Sequence, residues 1–427
     1  MRVGLQAWGS EGDIRPFLAL AAALRRAGHD PSLVVTDLDD RRYDAVAAAL
    51  DVPIRTVATP VASPEALSEI GQRLLKARNA FEQGKLIRRR LFEPALDEMA
   101  AASHALCRDS DVVVGHFFLH PLRSIAKAEG VPEVSVTLSG DMIPSASYPP
   151  TGLPALGVWG NRFWWWLARQ ALRMEFLPPV NVHRARLGLR PLTSMTDAWH
   201  SRLLDLVAVS PSLVPPAADW DPRHRVTGFF SLPEAADVEA LPEPVERFLD
   251  AGPPPVFMGF GSLAPPTPAG RRETAGILIA AARRAGVRAI LQNLDAEDAQ
   301  GADDILHVGR VAHTRLFPRC AAVVHHGGAG TTQTTVHAGV PSVVVPHISD
   351  QFAWGALLQR AGVGARPLPR TRLRPDPLAA RIRWVLGADM HQRARQLATA
   401  VAAEDGPTTA VRLLEGVVAP HGRSTSP

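Results

Sequence analysis

The segment Val323-Val-His-His-Gly-Gly-Ala-Gly-Thr-Thr332 places histidines, glycines and hydroxyls at the start of a helical stretch. Glycines let backbone N–H groups approach a ligand closely, and a helix N-terminus carries roughly half a positive charge. Such a loop favours an anionic group, and a diphosphate suits its donors. The segment lacks the lysine of a P-loop and the G-x-G-x-x-G spacing of a dinucleotide fingerprint. Asp350-Gln351 follows eighteen residues later, with side chains suited to sugar hydroxyls. The combination predicts a nucleotide-sugar site.

Length and composition limit the classes of protein to which the chain can belong. With 427 residues it is long enough for two domains, and its formal net charge of +4 gives no indication of nucleic-acid binding. The chain has no uninterrupted apolar run of about eighteen residues and no basic-then-apolar leader, so we expect a cytoplasmic protein. Cys107 and Cys320 are too far apart in sequence for a disulfide framework or a metal knuckle, and we expect both to be buried.

Short apolar strands alternate with helical patterns along the whole chain, which predicts an α/β protein. Strands are predicted at 3–7, 32–36, 112–115 and 134–137 in the first half, and at 256–260, 287–291, 321–325 and 342–346 in the second. We expect two doubly wound, Rossmann-like domains that face each other across a cleft. The proposed bounds are 1–231, a proline-rich linker at 232–254, and 255–427, with the last helix packing back on the N-terminal domain.

Three loops of the second domain fall at the carboxyl ends of its predicted strands. They are residues 259–263, 325–332 and 346–351. Ligands of open α/β sheets bind at these strand ends, so we expect the three loops to converge on one ligand.

These loops and the opening Gly9-Ser-Glu-Gly-Asp-Ile-Arg-Pro16 resemble those of the GT-B glycosyltransferases of family 1. The likeness is greatest to the bacterial and fungal sterol and antibiotic glucosyltransferases, of the macrolide and glycopeptide type. Segments 316–320, 338–341 and 404–406 extend the resemblance along the chain. It implies a GT-B fold in which the N-terminal domain binds an acceptor and the C-terminal domain binds a nucleotide sugar. It also implies that no cofactor or resident metal is needed, because the nucleotide sugar is a co-substrate.

The resemblance also assigns roles to donor-binding residues. It implies that His326 contacts the diphosphate, while its neighbour His325, at the strand end, is interpreted as structural. Asp350 and Gln351 are implied to hold the sugar hydroxyls. The diphosphate is implied to be wrapped by Gly328, Ala329, Gly330 and Thr331 and met from the opposite loop by Gly261 and Ser262.

Recognition of the base and ribose departs from the plant members, which stack a tryptophan on the base and use a glutamate on the ribose. The nearest positions here are Arg310, with its neighbour Val311, and Thr334. A guanidinium plane can stack on a base, whereas Thr334 is too short to hold both ribose hydroxyls. UDP and TDP donors therefore both stay open.

A metal-free inverting transfer needs a base for the acceptor hydroxyl and stabilisation of the leaving diphosphate. The resemblance implies Asp13 as the base. It stands three residues before Pro16, where antibiotic and sterol enzymes carry aspartate and plant enzymes carry histidine. The alternative is that Asp13 only caps the helix that starts near Pro16. His116 and His120 are rival bases, and we otherwise expect them to line the acceptor cleft.

Large apolar side chains precede the predicted linker. The three tryptophans of Phe163-Trp-Trp-Trp166 cannot all face one side of a helix, so at least one points to a cleft, a partner or a membrane surface. We take Trp164 as the candidate wall of an apolar acceptor site. Residues 73–90 hold seven basic side chains against the one acid Glu82. This stretch is interpreted either as a solvated helix over the acceptor cleft or as a contact with an anionic membrane surface.

The sequence thus predicts an inverting, metal-independent hexosyltransferase. It would move glucose from UDP-glucose to a hydroxyl of an apolar small molecule such as a sterol, terpenoid or polyketide. The alternatives are a TDP-deoxysugar transferase of antibiotic biosynthesis, a nucleotide-sugar 2-epimerase, and a non-catalytic binding partner that retains the fold.

Overall fold

The computed structural model describes residues 1–38, 42–59, 64–77, 79–232, 240–265, 267–294, 303–348 and 350–418. The side chains of residues 64–68 and 262 lie outside this description, and with them the predicted donor contact of Ser262. No helix within the described ranges is long and apolar enough to cross a membrane.

The first half of the chain forms a parallel sheet. Its strands are β1 (Arg2–Gly9), β2 (Asp30–Asp37), β3 (Ile54–Thr56), β4 (Val112–His116), β5 (Glu133–Thr137), β6 (Asp205–Val207) and β7 (His224–Val226). The helices are α1 (Glu11–Arg26), α2 (Asp44–Leu50), α3 (Pro64–Lys76), α4 (Ala80–Ile87), α5 (Leu96–Asp109), α6 (His120–Glu129), α7 (Gly157–Arg186) and α8 (Met195–Trp199). The strand order is β3-β2-β1-β4-β5-β6-β7. Helices cover both faces, which explains why β1 and β4 are apolar without alternation.

The second half forms a smaller parallel sheet. Its strands are β8 (Val256–Gly259), β9 (Ala289–Gln292), β10 (Ile305–Val308), β11 (Ala322–His325) and β12 (Ser342–Val344). The helices are α9 (Glu243–Asp250), α10 (Pro268–Ala285), α11 (His313–Leu316), α12 (Ala329–His337), α13 (Gln351–Arg360), α14 (Pro375–Val385), α15 (Ala388–Ala402) and α16 (Gly406–Val418). The strand order β10-β9-β8-β11-β12 places β8 and β11, which carry two of the predicted donor loops, side by side.

All eight predicted strands are present, with ends that differ by at most two residues. The two doubly wound α/β sheets confirm the predicted fold class. The strands β3, β6, β7 and β10 were not predicted. Each is only three or four residues long, and segments such as Asp205-Leu-Val207 contain a charged residue, so pairing with neighbouring strands determines them rather than an apolar pattern.

Part of the predicted linker 232–254 belongs to the C-terminal core. Helix α9 lies inside it, and Val245 and Leu249 pack beside Phe257 and Leu316. Residues 233–239 lie outside the described ranges.

The last helix crosses back to the N-terminal sheet. It packs on α1, and Ala410, Val411 and Leu414 join the core around that helix. Just before it, Glu404 Oε1 accepts hydrogen bonds from Ser210 Oγ (2.9 Å) and from the backbone N–H of Ser212 (3.1 Å). The segment 404–406 therefore joins the two halves of the protein.

The basic stretch 73–90 folds against α7. Arg88 is buried, and its guanidinium donates to Glu175 of α7 (2.5 Å), which also pairs with Arg89 (2.8 Å) and Lys85 (3.5 Å). Burial alone would raise the pKa of Glu175, but hydrogen bonds from Arg88 and Arg89 hold it below its ordinary value. Three basic groups of this stretch are thus paired with one carboxylate, and the contact with an anionic membrane surface stays a prediction.

Both cysteines are buried thiols, as predicted. Burial raises the pKa of Cys107 and of Cys320 to about 12, so neither is a reactive thiolate near neutral pH.

Candidate functional site

The N-termini of α1 and α12 face each other across the cleft between the sheets. Helix α1 begins just after β1 ends at Gly9, and α12 begins just after β11 ends at His325. The two helix ends approach closely, since a Cβ atom added at Gly330 would lie 3.7 Å from the Cα of Gly12. Each end carries a partial positive charge, so an anion in this part of the cleft meets two helix N-termini.

The first turn of α12 presents backbone donors without a cap. Its N-cap is Gly328, which offers no side-chain acceptor, and the first backbone bond of the turn runs from Thr332 N–H to Gly328 O (2.9 Å). The N–H groups of residues 329–331 precede that bond and have no partner inside the helix. A phosphate group is the kind of ligand that such a helix end binds.

His326 lies directly beside this turn. A Cβ at Gly328 would be 2.5 Å from His326 Nε2, and one at Gly261 would be 3.3 Å from Cε1. Glycine at 328 therefore provides the space that the imidazole occupies. Burial lowers the pKa of His326 to about 4, and its Nδ1 is buried without a hydrogen-bond partner among the described residues. The neutral ring has one N–H to donate, and a diphosphate oxygen can accept it.

The neighbouring His325 has a different environment. It is fully buried, burial lowers its pKa to about 3, and its Nδ1 accepts a hydrogen bond from the Gly327 N–H (3.2 Å). Its ring stabilises the turn after β11, which is the structural role predicted for it.

Asp13 occupies the first turn of α1 on the opposite side of the cleft. Its Oδ2 accepts hydrogen bonds from the Ser10 N–H (2.9 Å) and Ser10 Oγ (3.0 Å), while Oδ1 lies 3.7 Å from His116 Nε2. Gly9 adopts a φ of +135°, and a Cβ there would collide with the carboxylate at 2.3 Å. The helix begins five residues before the predicted Pro16, and Asp13 does take part in its cap. The cap fixes one oxygen and directs the other toward His116.

The two rival bases differ in exposure, because His116 is buried and His120 is half-buried. Burial lowers the pKa of both His116 and His120 to about 3, so at neutral pH both are uncharged and weakly basic. His116 lies beside Asp13. His120 instead packs against Phe92, with ring centroids 5.4 Å apart. Asp13 stays the predicted base, with His116 as its neighbour.

A small apolar cavity of about 20 Å³ lies next to His120. Aromatic rings of Phe92, Phe118 and Trp199 line it, together with Phe176 and Val180 of α7. Trp164 is not among the residues that line this cavity, and its role in an acceptor wall stays a prediction. The helix turns each of the three tryptophans to a different environment. Trp165 is buried and donates to Tyr148 O (2.8 Å), Trp164 is partly buried, and Trp166 is exposed.

Gln351 begins α13 and is buried in its loop. Its Oε1 accepts hydrogen bonds from the backbone N–H groups of His347 (2.9 Å) and Ile348 (3.1 Å). The side-chain oxygen therefore stabilises the donor loop, and the NH₂ group is the part of the amide that can reach a sugar oxygen.

The preceding residue, Asp350, is held in an environment unfavourable to charge. Burial, and then the carboxylates of Asp141 and Asp13, raise its pKa from 3.8 to about 7. A folded carboxyl group with a raised pKa keeps a proton that the unfolded chain has released, so the native state loses stability as the pH rises from about 4 to 7.

We therefore expect Asp350→Asn to raise the melting temperature at pH 8, where wild-type Asp350 is ionised, and to have little effect at pH 4. Each kcal/mol gained corresponds to roughly 2–4 °C in a domain of this size. Thermal unfolding of both proteins at the two pH values measures the effect. Asp376→Asn is the control, because its side chain is 83 % exposed. Equal shifts at both pH values, or a lower melting temperature at pH 8, would contradict the strain inferred for Asp350.

The predicted base- and ribose-binding positions have internal partners. The guanidinium of Arg310 donates to Glu11 Oε1 (3.0 Å), so it bridges the cleft from the C-terminal to the N-terminal half. The hydroxyl of Thr334 donates to Gly330 O (2.9 Å) within α12. The side chain of Val311 is buried in the C-terminal core, and its contact with a donor stays a prediction.

Sequence reasoning missed Asp141, which lies just after β5. Burial raises its pKa even though Ser139 and Thr151 donate hydrogen bonds to it, and its charge raises the pKa of Asp350 across the cleft. The signal was available, because Asp141 follows a predicted strand at its carboxyl end, as the donor loops do.

A second polar cluster joins β5, β6 and β7. Asp205 accepts hydrogen bonds from His200 Nδ1 (3.1 Å), His224 Nδ1 (2.7 Å), Ser135 Oγ (2.5 Å) and Thr137 Oγ1 (2.9 Å). Burial alone would raise the pKa of Asp205, but the two histidines and Ser135 hold it well below its ordinary value. In the part of the chain that the structure describes, this is the only group of three side chains at metal-ligand spacing. Its hydrogen bonds already satisfy the carboxylate and join the three strands.

Comparison with known proteins agrees with the geometry of the cleft. Residues 286–417 match the family described as erythromycin biosynthesis protein CIII-like, C-terminal domain. The O-mycaminosyltylonolide 6-deoxyallosyltransferase of Streptomyces fradiae is 32% identical over 97% of each chain. A sterol 3-beta-glucosyltransferase of Arabidopsis thaliana is 28% identical over 96% of this chain and 67% of that protein.

A solved structure establishes the same architecture. The glycosyltransferase SsfS6 of Streptomyces sp. SF2575, complexed with thymidine diphosphate, superposes with a TM-score of 0.60 at 19% identity and covers 97% of this chain and 99% of its own. The paired parallel sheets are thus those of the GT-B fold. With a relative 32% identical over nearly its full length, the chain belongs to the family 1 glycosyltransferases, in the group that contains antibiotic glycosyltransferases and sterol glucosyltransferases.

Proposed function

We propose that the protein is an inverting, metal-independent transferase that moves a hexose from a nucleoside diphosphate to a hydroxyl of an apolar small molecule, with UDP-glucose as the first candidate donor. One observation carries the proposal. The uncapped N-terminus of α12, with His326 beside it, faces the carboxylate of Asp13 across the cleft.

These groups divide the reaction between the two halves of the protein. The α12 N–H groups and His326 bind the diphosphate and stabilise the charge that develops as the bond from the anomeric carbon to the phosphate oxygen breaks. Asp13 accepts the proton of the acceptor hydroxyl as its oxygen forms the new bond to the anomeric carbon. Attack from the face opposite the diphosphate inverts the anomeric configuration.

The mostly apolar side chains around the small cavity beside His120 support an apolar acceptor. The cavity itself is only about 20 Å³, so a sterol, terpenoid or polyketide ring system would bury apolar surface there only after these side chains move apart. A nucleotide-sugar 2-epimerase would have no need for such a cavity, which is why we place that alternative second to transfer.

The sugar-binding positions favour a donor with intact hydroxyls. The Gln351 NH₂ group can donate to one sugar oxygen, and Asp350, with its pKa near 7, can either donate or accept. A site built to pair a hydroxyl discriminates against analogues that lack it. Glucose therefore suits this pair better than a deoxyhexose does.

A TDP-deoxysugar donor is the second candidate. The Thr334 hydroxyl donates to Gly330 O and provides no carboxylate for a ribose diol, and thymidine lacks the 2′-hydroxyl that uridine presents. The Streptomyces fradiae relative is named a 6-deoxyallosyltransferase, and SsfS6 was crystallised with thymidine diphosphate. Steady-state kinetics with UDP-glucose, TDP-glucose and TDP-6-deoxyglucose separate the effect of the nucleotide base on kcat/KM from the effect of the sugar. A higher kcat/KM for TDP-6-deoxyglucose than for either glucose donor would overturn the first candidate.

Gln351→Ala should raise KM for the sugar nucleotide by roughly three- to tenfold, the scale of one neutral hydrogen bond, and leave the affinity for free nucleoside diphosphate nearly unchanged. It should also lower the melting temperature, because two backbone N–H groups lose their acceptor. Gln359→Ala, an exposed residue of the same helix, is the control. An unchanged KM in Gln351→Ala would remove this residue from the sugar site.

Activity should survive treatment with EDTA. The α12 N-terminus and His326 can offset the leaving charge, which is the work that a divalent cation does in other transferases. Dialysis against EDTA followed by a transfer assay measures this. Complete loss of activity that Mg²⁺ or Mn²⁺ restores would contradict the proposed electrostatics.

A further inference from the structure

The outer face of α7 and the segment before it form a continuous exposed apolar surface. Residues 152–159 are all exposed and contain no charged side chain. Along the helix the surface continues through Trp159 (79% exposed), Phe163 (54%), Trp166 (52%) and Met174 (79%). We refer to the exposed apolar surface of residues 152–174 as the α7 face.

A strip of arginines borders this face. Helical periodicity places residues 159, 163, 166, 167 and 174 within an arc of about 100°. Arg162, Arg169 and Arg173 are exposed and follow one edge of that arc. The Arg162 guanidinium lies over the Trp159 ring, 5.4 Å from its centroid. No aspartate or glutamate occurs between residues 157 and 174. The face is therefore aromatic and cationic.

The dimensions and charge of the face restrict what can cover it. From Trp159 to Met174 the helix extends about 22 Å, at 1.5 Å per residue, which is longer than one small acceptor molecule. A second copy of the chain would bring the same arginines to the contact without an acid from this face to offset them. An anionic surface offsets them directly and accepts the tryptophans.

We propose that the α7 face docks on the surface of an anionic lipid bilayer. Aromatic side chains would enter the interfacial region while the arginines bind lipid phosphates and carboxylates, as in helices that lie in the plane of a membrane. The face also begins next to the cleft, because Thr151 bonds Asp141, whose charge acts on Asp350. Docking would bring the cleft close to the lipid phase, in which a lipophilic acceptor dissolves. This consequence rests on the proposed function.

Vesicle sedimentation with the full-length protein tests the proposal. We expect binding to vesicles of phosphatidylcholine with 25 mol% phosphatidylglycerol, and much weaker binding to phosphatidylcholine alone or in high salt. The variants W159A/F163A/W166A and R162Q/R169Q/R173Q should each reduce the partition coefficient at least about tenfold. Trp384→Ala is the matched control, because that tryptophan is 56% exposed on α14, far from this face in sequence. Melting temperatures confirm that each variant is folded.

Each outcome decides the proposal. Absence of wild-type binding to anionic vesicles overturns it, as does equal binding by the aromatic variant. A concentration-dependent dimer that W159A/F163A/W166A abolishes, without vesicle binding, assigns the face to a second copy instead. Capture of an acidic protein without vesicle binding also overturns it. Transfer to a water-soluble acceptor is assayed separately, so vesicle binding without transfer would contradict the proposed function and leave the docking surface in place.

Discussion

Replacing Asp13 by asparagine should lower kcat by about a hundredfold to ten-thousandfold, the usual scale of general acid–base catalysis. Asparagine has nearly the same shape, and its oxygen can still accept the hydrogen bond from the Ser10 N–H that anchors Asp13 Oδ2. The first turn of α1 is therefore preserved while the base is lost. Binding of the sugar nucleotide should stay at the wild-type level, because Asp13 lies on the N-terminal side of the cleft.

The control for this variant is Asp44→Asn, which makes the same change in the first turn of α2. Steady-state kinetics give kcat, and calorimetry gives donor affinity. If Asp13→Asn keeps more than a tenth of the wild-type kcat, the carboxylate only caps α1, and His116, 3.7 Å from it, becomes the residue to test as the base.

Replacing His326 by alanine should weaken the binding of UDP or TDP by roughly 10- to 150-fold. This corresponds to about 1.5–3 kcal/mol for a hydrogen bond to a charged phosphate. Burial lowers the pKa of His326 to about 4, so we expect the neutral ring to act as a donor at pH 8, where the free diphosphate is fully ionised. Isothermal titration calorimetry with the free diphosphate measures the loss without involving the sugar.

Two further variants bear on the same interaction. His391→Ala, on α15, should bind diphosphate normally. Gly328→Ala should weaken binding, because its Cβ would lie 2.5 Å from His326 Nε2 and displace the ring. Unchanged affinity in His326→Ala would make this histidine structural, like His325.

The loops at the strand ends show which features of the site could be predicted from the sequence. The glycines and histidines at 325–332 predict an anion site, because they precede a helix and a helix N-terminus has the same backbone donors in any fold. The structure adds that Gly328 gives α12 no side-chain cap and that His326 fills the adjacent space. Both features are local, and local sequence determines them.

Contacts between distant segments were not predictable in the same way. The Arg310–Glu11 ion pair joins residues 299 positions apart, and the effect of Asp141 on Asp350 crosses the cleft. Gln351 was expected to hold sugar hydroxyls, whereas its side-chain oxygen accepts hydrogen bonds from two backbone N–H groups of its own loop. Such contacts depend on how two domains meet and how a loop closes, and residue types alone do not encode either.

The three tryptophans at 164–166 show the same difference between features that local sequence determines and features that depend on distant segments. The helical period correctly predicted that adjacent tryptophans face different directions. Trp165 is buried and Trp166 is exposed. It did not predict the apolar cavity beside His120, because Phe92, Phe118 and Trp199 come to it from other elements.

The central claim is that Asp13 and the α12 N-terminus carry out a direct, inverting transfer. The most direct test is NMR analysis of the products formed from UDP-glucose, in which the sugar is α-linked, and a panel of apolar alcohols. We predict a β-glycoside and one equivalent of released UDP, with unreacted donor unchanged. An α-glycoside, an isomerised donor without glycoside, or binding of donor and acceptor without turnover would contradict the claim.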